Sequence, residues 1–213
     1  MSDNVNSNLL FEKKYNAVIE RSFVTKVDVF LFNELRVKKD IKEIVESQFL
    51  DFLITAELAG LYENSWQMND EDALEGINIV EYDAKIESWY KGNIDLKRKL
   101  FVAYANHFKT TFPMSEFIEF YKEKVEERKC FYCGTTEAEI LKLRGKGLIK
   151  TKRNRGKQME IDRKNSNMEY SKQNIVLACY WCNNGKSDEF SMEEFKAVGK
   201  EIRKIWEVRL KQL

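Results

Sequence analysis

The chain contains two short cysteine pairs of the form Cys-x-x-Cys and no other cysteine. Cys130 and Cys133 form the first pair, and Cys179 and Cys182 form the second. Each pair can present two sulfur atoms to one ion, and four thiolates are a common ligand set of a structural, tetrahedral zinc ion. The sequence therefore predicts a zinc-stapled module. The alternatives are two disulfides or free core thiols.

The rest of the sequence favours the zinc interpretation. It contains no signal peptide and no apolar run long enough to span a bilayer. We therefore expect a cytoplasmic protein with a structural metal, not a secreted disulfide framework. A chain of 213 residues, 43% of them hydrophobic, can bury one good core or two modest ones.

The formal net charge of +1 hides an asymmetry between the two parts of the chain. Residues 1–125 carry 16 basic against 22 acidic side chains, and residues 126–213 carry 20 against 13. Between the cysteine pairs lies a glycine-containing basic stretch without any acidic residue: Arg144, Lys146, Lys150, Lys152, Arg153, Arg155 and Lys157. Such a loop fits sequence-independent contacts with nucleic-acid phosphates. The alternative is a solvated surface loop.

The residues after this loop predict a short β-hairpin followed by a helix. Residues 159–161 and 175–177 have strand character, and a polar segment connects them. Asp162 is expected at the end of the first strand, and Asn183 in the first helical turn after the second strand. Their carboxylate and amide oxygens would approach one point, where they suit Mg²⁺ or another hard divalent ion.

Residues 130–188 resemble the HNH, or ββα-metal, endonucleases, in the branch that carries a four-cysteine zinc site. The resemblance is carried by Cys-Phe-Tyr-Cys-Gly at 130–134, Ile-Asp-Arg at 161–163, Tyr170, Asn-Ile-Val at 174–176 and the segment 179–186. It implies a metal-dependent nuclease that hydrolyses DNA phosphodiester bonds, and it does not extend to residues 1–125.

The resemblance also implies roles for single residues. Asp162 matches the metal-binding aspartate of the family, and Asn183 matches the residue that completes the Mg²⁺ or Mn²⁺ site. Asn174 matches the asparagine that ties the connecting loop to the hairpin and helps to orient the general base. Lys186 would lie near a substrate phosphate. Nucleic-acid contacts are also expected from the basic loop, at Lys152, Arg153, Arg155 and Lys157.

One position departs from the family pattern, because Arg163 stands where the family has its general-base histidine. An arginine cannot accept a proton from water near neutral pH. One interpretation is that Arg163 stabilises the charge that builds on the phosphate while the metal ion activates the water. Glu160 is a second candidate base, since it shares a strand face with Asp162, although a strand-face carboxylate without catalytic role is the simpler interpretation.

A third interpretation is a degenerate site, in a zinc module that binds nucleic acid or a protein without cleaving. The chain's only histidine, His107, lies outside the motif and is expected to be a surface or packing residue. The aromatic residues beside the cysteines are expected to pack against the hairpin more than to stack on bases: Phe131, Tyr132, Tyr180 and Trp181. Tyr170 is expected to anchor the loop before the second strand.

Outside the module the patterns are mainly helical. Helices are predicted over 40–61, 95–109 and 115–129, the last leading continuously toward the first cysteine pair, while residues 27–32 alternate weakly and could form a strand. Ser191 and Glu194 form a capping box before a C-terminal helix. That helix carries an apolar stripe: Phe195, Val198, Ile202, Ile205 and Trp206.

Together these patterns predict an α+β protein with a helical domain over residues 1–126 and an HNH-like, zinc-binding nuclease domain over residues 127–213. Zinc would be structural, and Mg²⁺ or Mn²⁺ would be catalytic. DNA is the expected partner of the second domain, and a protein partner could bind the acidic first domain. No membrane contact is expected.

Overall fold

The computed structural model describes residues 2–41, 43–65, 79–123, 128–150 and 155–213, without the side chains of residues 2–9, 79–81 and 122–123. In these ranges the chain forms helices and one antiparallel pair of strands. They are α1 (Ser2–Lys38), α2 (Glu46–Asp51), α3 (Ala56–Ser65), α4 (Ile79–Gly92), α5 (Ile94–Thr111), α6 (Met114–Glu123), α7 (Glu137–Gly145), β1 (Glu160–Arg163), β2 (Ile175–Ala178), α8 (Tyr180–Lys186) and α9 (Met192–Leu210). The predicted α+β class is confirmed. Among the described residues, no helix combines the length and apolar character that a membrane span requires.

The chain divides into two compact units. The first unit comprises Met1–Phe117 and the short segment Asn167–Tyr170, and the second comprises Ile118–Ser166 and Ser171–Leu213. The segment Asn167–Tyr170 lies between β1 and β2 in the sequence, so the chain leaves the second unit there for four residues. The domain boundary predicted between residues 126 and 127 stays a prediction.

The first unit is built around α1, which packs against α3, α4 and α5. Val29, Phe32 and Leu35 contribute to one buried cluster that also contains residues of α3 and α4. The strand considered for residues 27–32 was a wrong prediction, because this segment lies inside α1. β-branched residues favour strands only modestly, and packing on several sides of the helix buries the whole apolar run.

The helix predicted over residues 40–61 is two helices, α2 and α3, separated by extended backbone at Phe52. A buried lysine explains the break. The Nζ of Lys26 donates hydrogen bonds to the carbonyl oxygens of Leu50 (3.2 Å) and Phe52 (2.6 Å). These carbonyls at the end of α2 therefore have a partner without a further helical turn. Thr55 then caps α3, since its Oγ1 accepts from the Leu58 backbone N–H.

The helix predicted over residues 95–109 is confirmed as α5. The helix predicted over residues 115–129 is α6, which begins directly after Pro113. Residues 124–127, where a continuous helix toward the cysteines was predicted, lie outside the described residues. Arg128 and Lys129 are not helical, and Lys129 instead forms a β-bridge with Thr136.

The described part of the second unit contains a small hairpin, the C-terminal part of α6, and the helices α7, α8 and α9. β1 and β2 pair antiparallel, with Asp162 opposite Val176. The helix α7 was not predicted, although Thr136 and Glu139 form a capping box at its start. The capping box predicted at Ser191 and Glu194 is confirmed, and α9 follows it.

The apolar stripe predicted along α9 is only partly buried. Phe195 and Trp206 belong to the core, whereas Val198 and Ile205 are exposed. Gly199 is buried between the two core residues, and it allows a close approach to the first cysteine pair. A Cβ atom at Gly199 would lie 2.6 Å from the carbonyl oxygen of Tyr132.

Candidate metal centre and active site

The four cysteines converge in the second unit. All four are buried, and their sulfur atoms lie within 4.8 Å of one another. The Sγ atoms of Cys133 and Cys179 are 3.8 Å apart. A tetrahedral ion with Zn–S bonds of about 2.3 Å requires S···S distances of about 3.8 Å. The cluster therefore has the donor atoms and spacing that a metal ion such as zinc requires.

Local backbone structure explains why each pair can ligate one ion. In the first pair, the N–H of Gly134 donates to the carbonyl of Cys130 (2.8 Å), and the N–H of Cys130 donates to the carbonyl of Thr135 (2.9 Å). Gly134 has a φ of 69°, which glycine adopts at little cost. In the second pair, Cys179 is the N-cap of α8, and its Sγ accepts from the Cys182 N–H.

The sulfur atoms lie close enough to influence one another's pKa values. Hydrogen bonding with Cys130 lowers the pKa of Cys133 and raises the pKa values of Cys179 and Cys182. Four thiolates cannot coexist in so small a buried volume without a cation to offset their mutual repulsion. Metal binding would remove this conflict and release the remaining protons.

Asp162 is a buried carboxylate on β1, in hydrogen-bond contact with Tyr132 of the first cysteine pair's turn. Its Oδ2 accepts a hydrogen bond from the hydroxyl of Tyr132 (2.6 Å), and the Nζ of Lys186 lies 4.0 Å from the same oxygen. Burial raises the pKa of Asp162, while the Tyr132 hydrogen bond and the charge of Lys186 oppose this shift. Asp162 is therefore held by two residues that sequence reasoning did not assign to it.

Lys186 has no exposed surface. Its Nζ donates to the Oγ of Ser166 (3.0 Å) and the carbonyl of Ser187 (3.4 Å), besides facing Asp162. Lys186 is therefore placed to act as a buried counter-ion of Asp162. The predicted contact between Lys186 and a phosphate stays a prediction.

Asn183 lies on α8, and its side chain meets Glu160 on β1. The Nδ2 of Asn183 donates to Glu160 Oε2 (2.7 Å), and Arg155 forms a two-pronged salt bridge with the same carboxylate (3.0 and 2.5 Å). Because its amide nitrogen is engaged, Asn183 is left with Oδ1 as its ligand atom. Among the described contacts, no hydrogen bond uses this oxygen, and none joins Asn183 to Asp162.

Glu160 thus accepts three hydrogen bonds from positively charged or amide donors. Because both of its oxygens are occupied, Glu160 is better suited to orient Asn183 and Arg155 than to accept a proton as a general base. The Arg155 guanidinium also donates to Asn184 Oδ1 (3.1 Å) and stacks on the Tyr180 ring at 4.8 Å.

Asn174 joins the two ends of the β1–β2 connection. Its Nδ2 donates to the carbonyl of Asn165 (3.0 Å), and its Oδ1 accepts from the Asn165 N–H (2.9 Å). Its carbonyl also accepts from the N–H of Lys164 (2.8 Å). Asn174 therefore closes the loop immediately after β1.

Arg163 is half-buried at the end of β1 and pairs with Ile175 across the hairpin. Its backbone N–H and its positive charge both act to lower the pKa of Asp162. The positive charge of Arg163 therefore favours the ionised form of Asp162 to a small extent, although neighbouring residues of a strand point to opposite faces.

The other residues that the sequence singled out have no described contact with Asp162 or the cysteines. Lys157 is exposed, whereas Lys152 and Arg153 lie outside the described residues. His107 is exposed on α5 in the first unit. Tyr170 is buried in the first unit, where its N–H donates to the Oγ of Ser22 (3.0 Å).

The aromatic residues near the cysteines have different environments. Tyr132 is buried, and its ring meets Phe195 edge-on at 5.2 Å. Phe131 is 42% exposed and lies below the ammonium group of Lys196. Trp181 packs against Trp206 at 5.0 Å. The contact between Tyr132 and Asp162 was missed because nothing in a Cys-x-x-Cys turn indicates where its middle residues point.

No protein-family model matches the chain, and no curated protein sequence does either. A solved structure matches part of it, under the description "An extraordinary mechanism of DNA perturbation exhibited by the rare-cutting HNH restriction endonuclease PacI". The match has 37% sequence identity and a TM-score of 0.34, and it covers 38% of this chain. The chain spans 56% of the length of that endonuclease chain.

Proposed function

We propose that the chain is an HNH-type endonuclease that hydrolyses DNA phosphodiester bonds with the help of a divalent metal ion. The observation that carries the proposal is the buried Asp162 on β1, held by Tyr132 beside a four-cysteine cluster. A buried carboxylate is costly unless it has a role or a partner, and such groups are concentrated at functional sites. The resemblance of residues 130–188 to HNH endonucleases supports the same assignment.

Two metal sites belong to this proposal. The four cysteines would hold structural zinc. Asp162 and Asn183 would hold Mg²⁺ or Mn²⁺, and the unused Oδ1 of Asn183 and the Asp162 carboxylate are the hard oxygen donors that such ions prefer. When bound, a divalent ion in such a site supplies Lewis-acid stabilisation of phosphate charge and lowers the pKa of water.

The residues of the chain would divide the remaining work. Arg163 would contact the scissile phosphate, because a guanidinium donates several hydrogen bonds to phosphate oxygens and keeps its charge throughout the reaction. Asn174 would keep the loop after Arg163 in place. Lys157 and the neighbouring Lys152 and Arg153 would bind the DNA backbone, with an affinity that falls as salt increases, and Arg155 would add to this only through the N–H groups that Glu160 and Asn184 leave unoccupied.

Plasmid cleavage tests the proposal. Zinc-loaded protein should nick or linearise supercoiled plasmid with Mg²⁺ or Mn²⁺, and Asp162→Asn and Asn183→Ala should each abolish cutting. Asp162→Asn is preferable to Asp162→Ala, because an asparagine oxygen can still accept the Tyr132 hydrogen bond beside buried Lys186. Asp95→Ala is the matched control, since Asp95 is a highly exposed aspartate on α5.

A variant at Arg163 separates the interpretations of that residue. Arg163→His should raise the cleavage rate if the site only lacks a general base, and should lower it if the guanidinium already stabilises the phosphate. His107→Ala should leave the rate unchanged. Retained cleavage in zinc-loaded Asp162→Asn would contradict the proposal.

A second candidate function is a zinc module that binds nucleic acid or a protein without cleaving. One observation favours it: the ammonium group of Lys186 lies 4.0 Å from Asp162, where a divalent cation would compete with it. Under this alternative, zinc-loaded protein shifts labelled DNA in a salt-dependent manner or binds a protein, while neither Mg²⁺ nor Mn²⁺ produces cuts in double- or single-stranded DNA.

A further inference from the structure

Tyr132 connects the cysteine cluster to Asp162. It lies between Cys130 and Cys133 in the sequence, and its hydroxyl nevertheless reaches Asp162 Oδ2 on β1 at 2.6 Å. Its side chain is buried, so water does not compete for this hydrogen bond. A residue of the metal-binding turn is therefore in direct contact with the candidate active site.

The backbone around Tyr132 is fixed from two sides. On one side, the N–H of Phe131 donates to the carbonyl of Leu177 on β2 (2.8 Å). On the other side, α9 approaches so closely at Gly199 that a Cβ atom there would lie 2.6 Å from the Tyr132 carbonyl oxygen and 2.9 Å from its Cβ. The Phe195 ring packs edge-on against the tyrosine ring. The tyrosine hydroxyl consequently has little freedom to move.

Asp162 depends on this hydroxyl more than an exposed aspartate would. The carboxylate is buried, and its one described hydrogen bond to a side chain comes from Tyr132, since the ammonium group of Lys186 is 4.0 Å away. Loss of that donor would leave the backbone N–H of Arg163 as the remaining described hydrogen-bond donor to the carboxylate, which could then rotate toward Lys186 or toward solvent.

We propose that Tyr132 is a positioning residue, through which an ordered cysteine cluster fixes the orientation of the Asp162 carboxylate. A metal ion in the cluster holds Cys130 and Cys133, these fix the backbone of Tyr132, and the hydroxyl of Tyr132 sets the orientation of the Asp162 carboxylate. Zinc loading thus controls the geometry of the candidate active site as well as the folding of the second unit. The activity readout rests on the proposed nuclease function, whereas the orientation of Asp162 does not.

Tyr132→Phe is the primary test, because it removes the hydroxyl and keeps the ring that packs on Phe195. In the full-length, zinc-loaded protein we expect unchanged zinc content. Three-bond NMR couplings across the χ1 torsion of Asp162 should change from a single rotamer in the wild type to an average in the variant. Cleavage at saturating DNA should slow about 10-fold or more, as is typical when the partner of a metal ligand is removed.

Tyr15→Phe is the matched control. The hydroxyl of Tyr15 is buried in the first unit and donates a hydrogen bond of the same 2.6 Å length to the carbonyl of Phe112. Its removal should cost comparable stability and leave both the Asp162 couplings and the cleavage rate unchanged.

Gly199→Ala provides a second, independent variant. The added methyl group would push the Tyr132 backbone while the hydroxyl is retained, so the Asp162 couplings should again average and cleavage should again slow. Because both substitutions act through one hydrogen bond, the double variant should be only slightly slower than the slower single variant.

Two outcomes would overturn the inference. The first is a single, wild-type Asp162 rotamer in zinc-loaded Tyr132→Phe. The second is a slowing of cleavage that tracks loss of zinc and leaves the Asp162 couplings as they were, because the role of Tyr132 would then be structural only. If the wild type cuts no DNA, the nuclease proposal fails, and the NMR couplings still decide the role of Tyr132.

Discussion

The two units of this protein bury different kinds of groups. The first unit has a core of aliphatic and aromatic side chains from several helices, and its buried polar residues are few: Ser22, Lys26 and Ser65 among the described residues. The second unit has a hairpin of two four-residue strands with flanking helices, and besides its own apolar core it buries four cysteines together with Thr135, Asp162, Asn174 and Lys186. Its polar burial is concentrated around the candidate active site.

The difference shows how a small unit can hold reactive groups in fixed positions. Apolar burial stabilises a core in proportion to its area but does little to orient a carboxylate. Hydrogen bonds and metal–ligand bonds bury less apolar area, but they fix the orientation of the groups that they join. We therefore expect the second unit to depend on its cysteine cluster in a way that the first unit does not.

Removal of the metal should produce the largest effect and test this contrast directly. Cys182→Ser, or chelation of the wild type, should unfold the second unit, since binding of a structural zinc is worth about 10 kcal/mol or more. Amide hydrogen exchange resolved by peptide should show lost protection over α8 and β2 and retained protection over α1 and α5. An equal loss of amide protection in α5 would contradict this difference between the units, because the first unit would then also depend on the metal.

A cavity in the first unit should give the complementary result. Leu100 is fully buried on α5, and Leu100→Ala should lower the free energy of unfolding by about 2–5 kcal/mol. Leu53→Ala, at a position that is 75% exposed, should lower it by much less. Denaturant unfolding measures both, and the zinc content should stay unchanged. A loss of zinc in Leu100→Ala would contradict the proposed difference between the units.

Ion pairing between α7 and α9 should contribute a smaller, pH-dependent amount. Arg203 donates two hydrogen bonds to Glu139 (2.7 and 3.1 Å) and lowers the pKa of that carboxyl group. Arg203→Ala should therefore cost about 1.5 kcal/mol near pH 7. A lowered folded-state pKa stabilises the fold above the ordinary glutamate value of about 4.3, and this contribution disappears as the pH falls through the folded-state pKa.

Thermal unfolding of the wild type and Arg203→Ala between pH 3 and pH 7 measures this dependence. The two stability curves should converge at the acidic end. Lys204→Ala is the control, because Lys204 makes an exposed ion pair with Glu201 on the same helix. Parallel curves across the whole range would contradict the assigned ion pair.

The smallest effect is expected at the start of α7. Thr136→Ala removes the side-chain oxygen that accepts from the Glu139 N–H (3.1 Å) and should cost about 1 kcal/mol. Thr136→Ser keeps the oxygen and should be nearly neutral. Chemical denaturation measures both variants. A cost above that of Cys182→Ser would show that the second unit depends on its helix caps more than on its cysteine cluster.

Local patterns made much of the second unit predictable. The hairpin, the cysteine spacing and the Ser191 capping box depend on residues close in sequence, and each appears in the structure. The end of α2 was missed because its carbonyls are satisfied by Lys26, which lies more than twenty residues earlier. The contact between Tyr132 and Asp162 spans 30 residues and leaves no pattern in the sequence.

Exposure on α9 could not be predicted for a related reason. A helical apolar stripe shows which side chains share a face, but only the packed structure decides how wide the covered part is. Phe195 and Trp206 are covered, and Ile205 beside them is 50% exposed. Periodicity therefore predicted the helix, but it does not determine how much of the apolar stripe is buried.

The four-residue segment Asn167–Tyr170 has a consequence for how this chain could be taken apart. Met168 packs against the apolar cluster of the first unit, and Glu169 accepts a hydrogen bond from Tyr104 (2.7 Å). A fragment that begins near residue 118 would carry this segment away from its contacts and expose an apolar side chain. Recombination between genes at a single breakpoint therefore cannot transfer the metal-binding half intact. A graft onto another protein must either bring α1 and α5 along or replace the connection between the two strands.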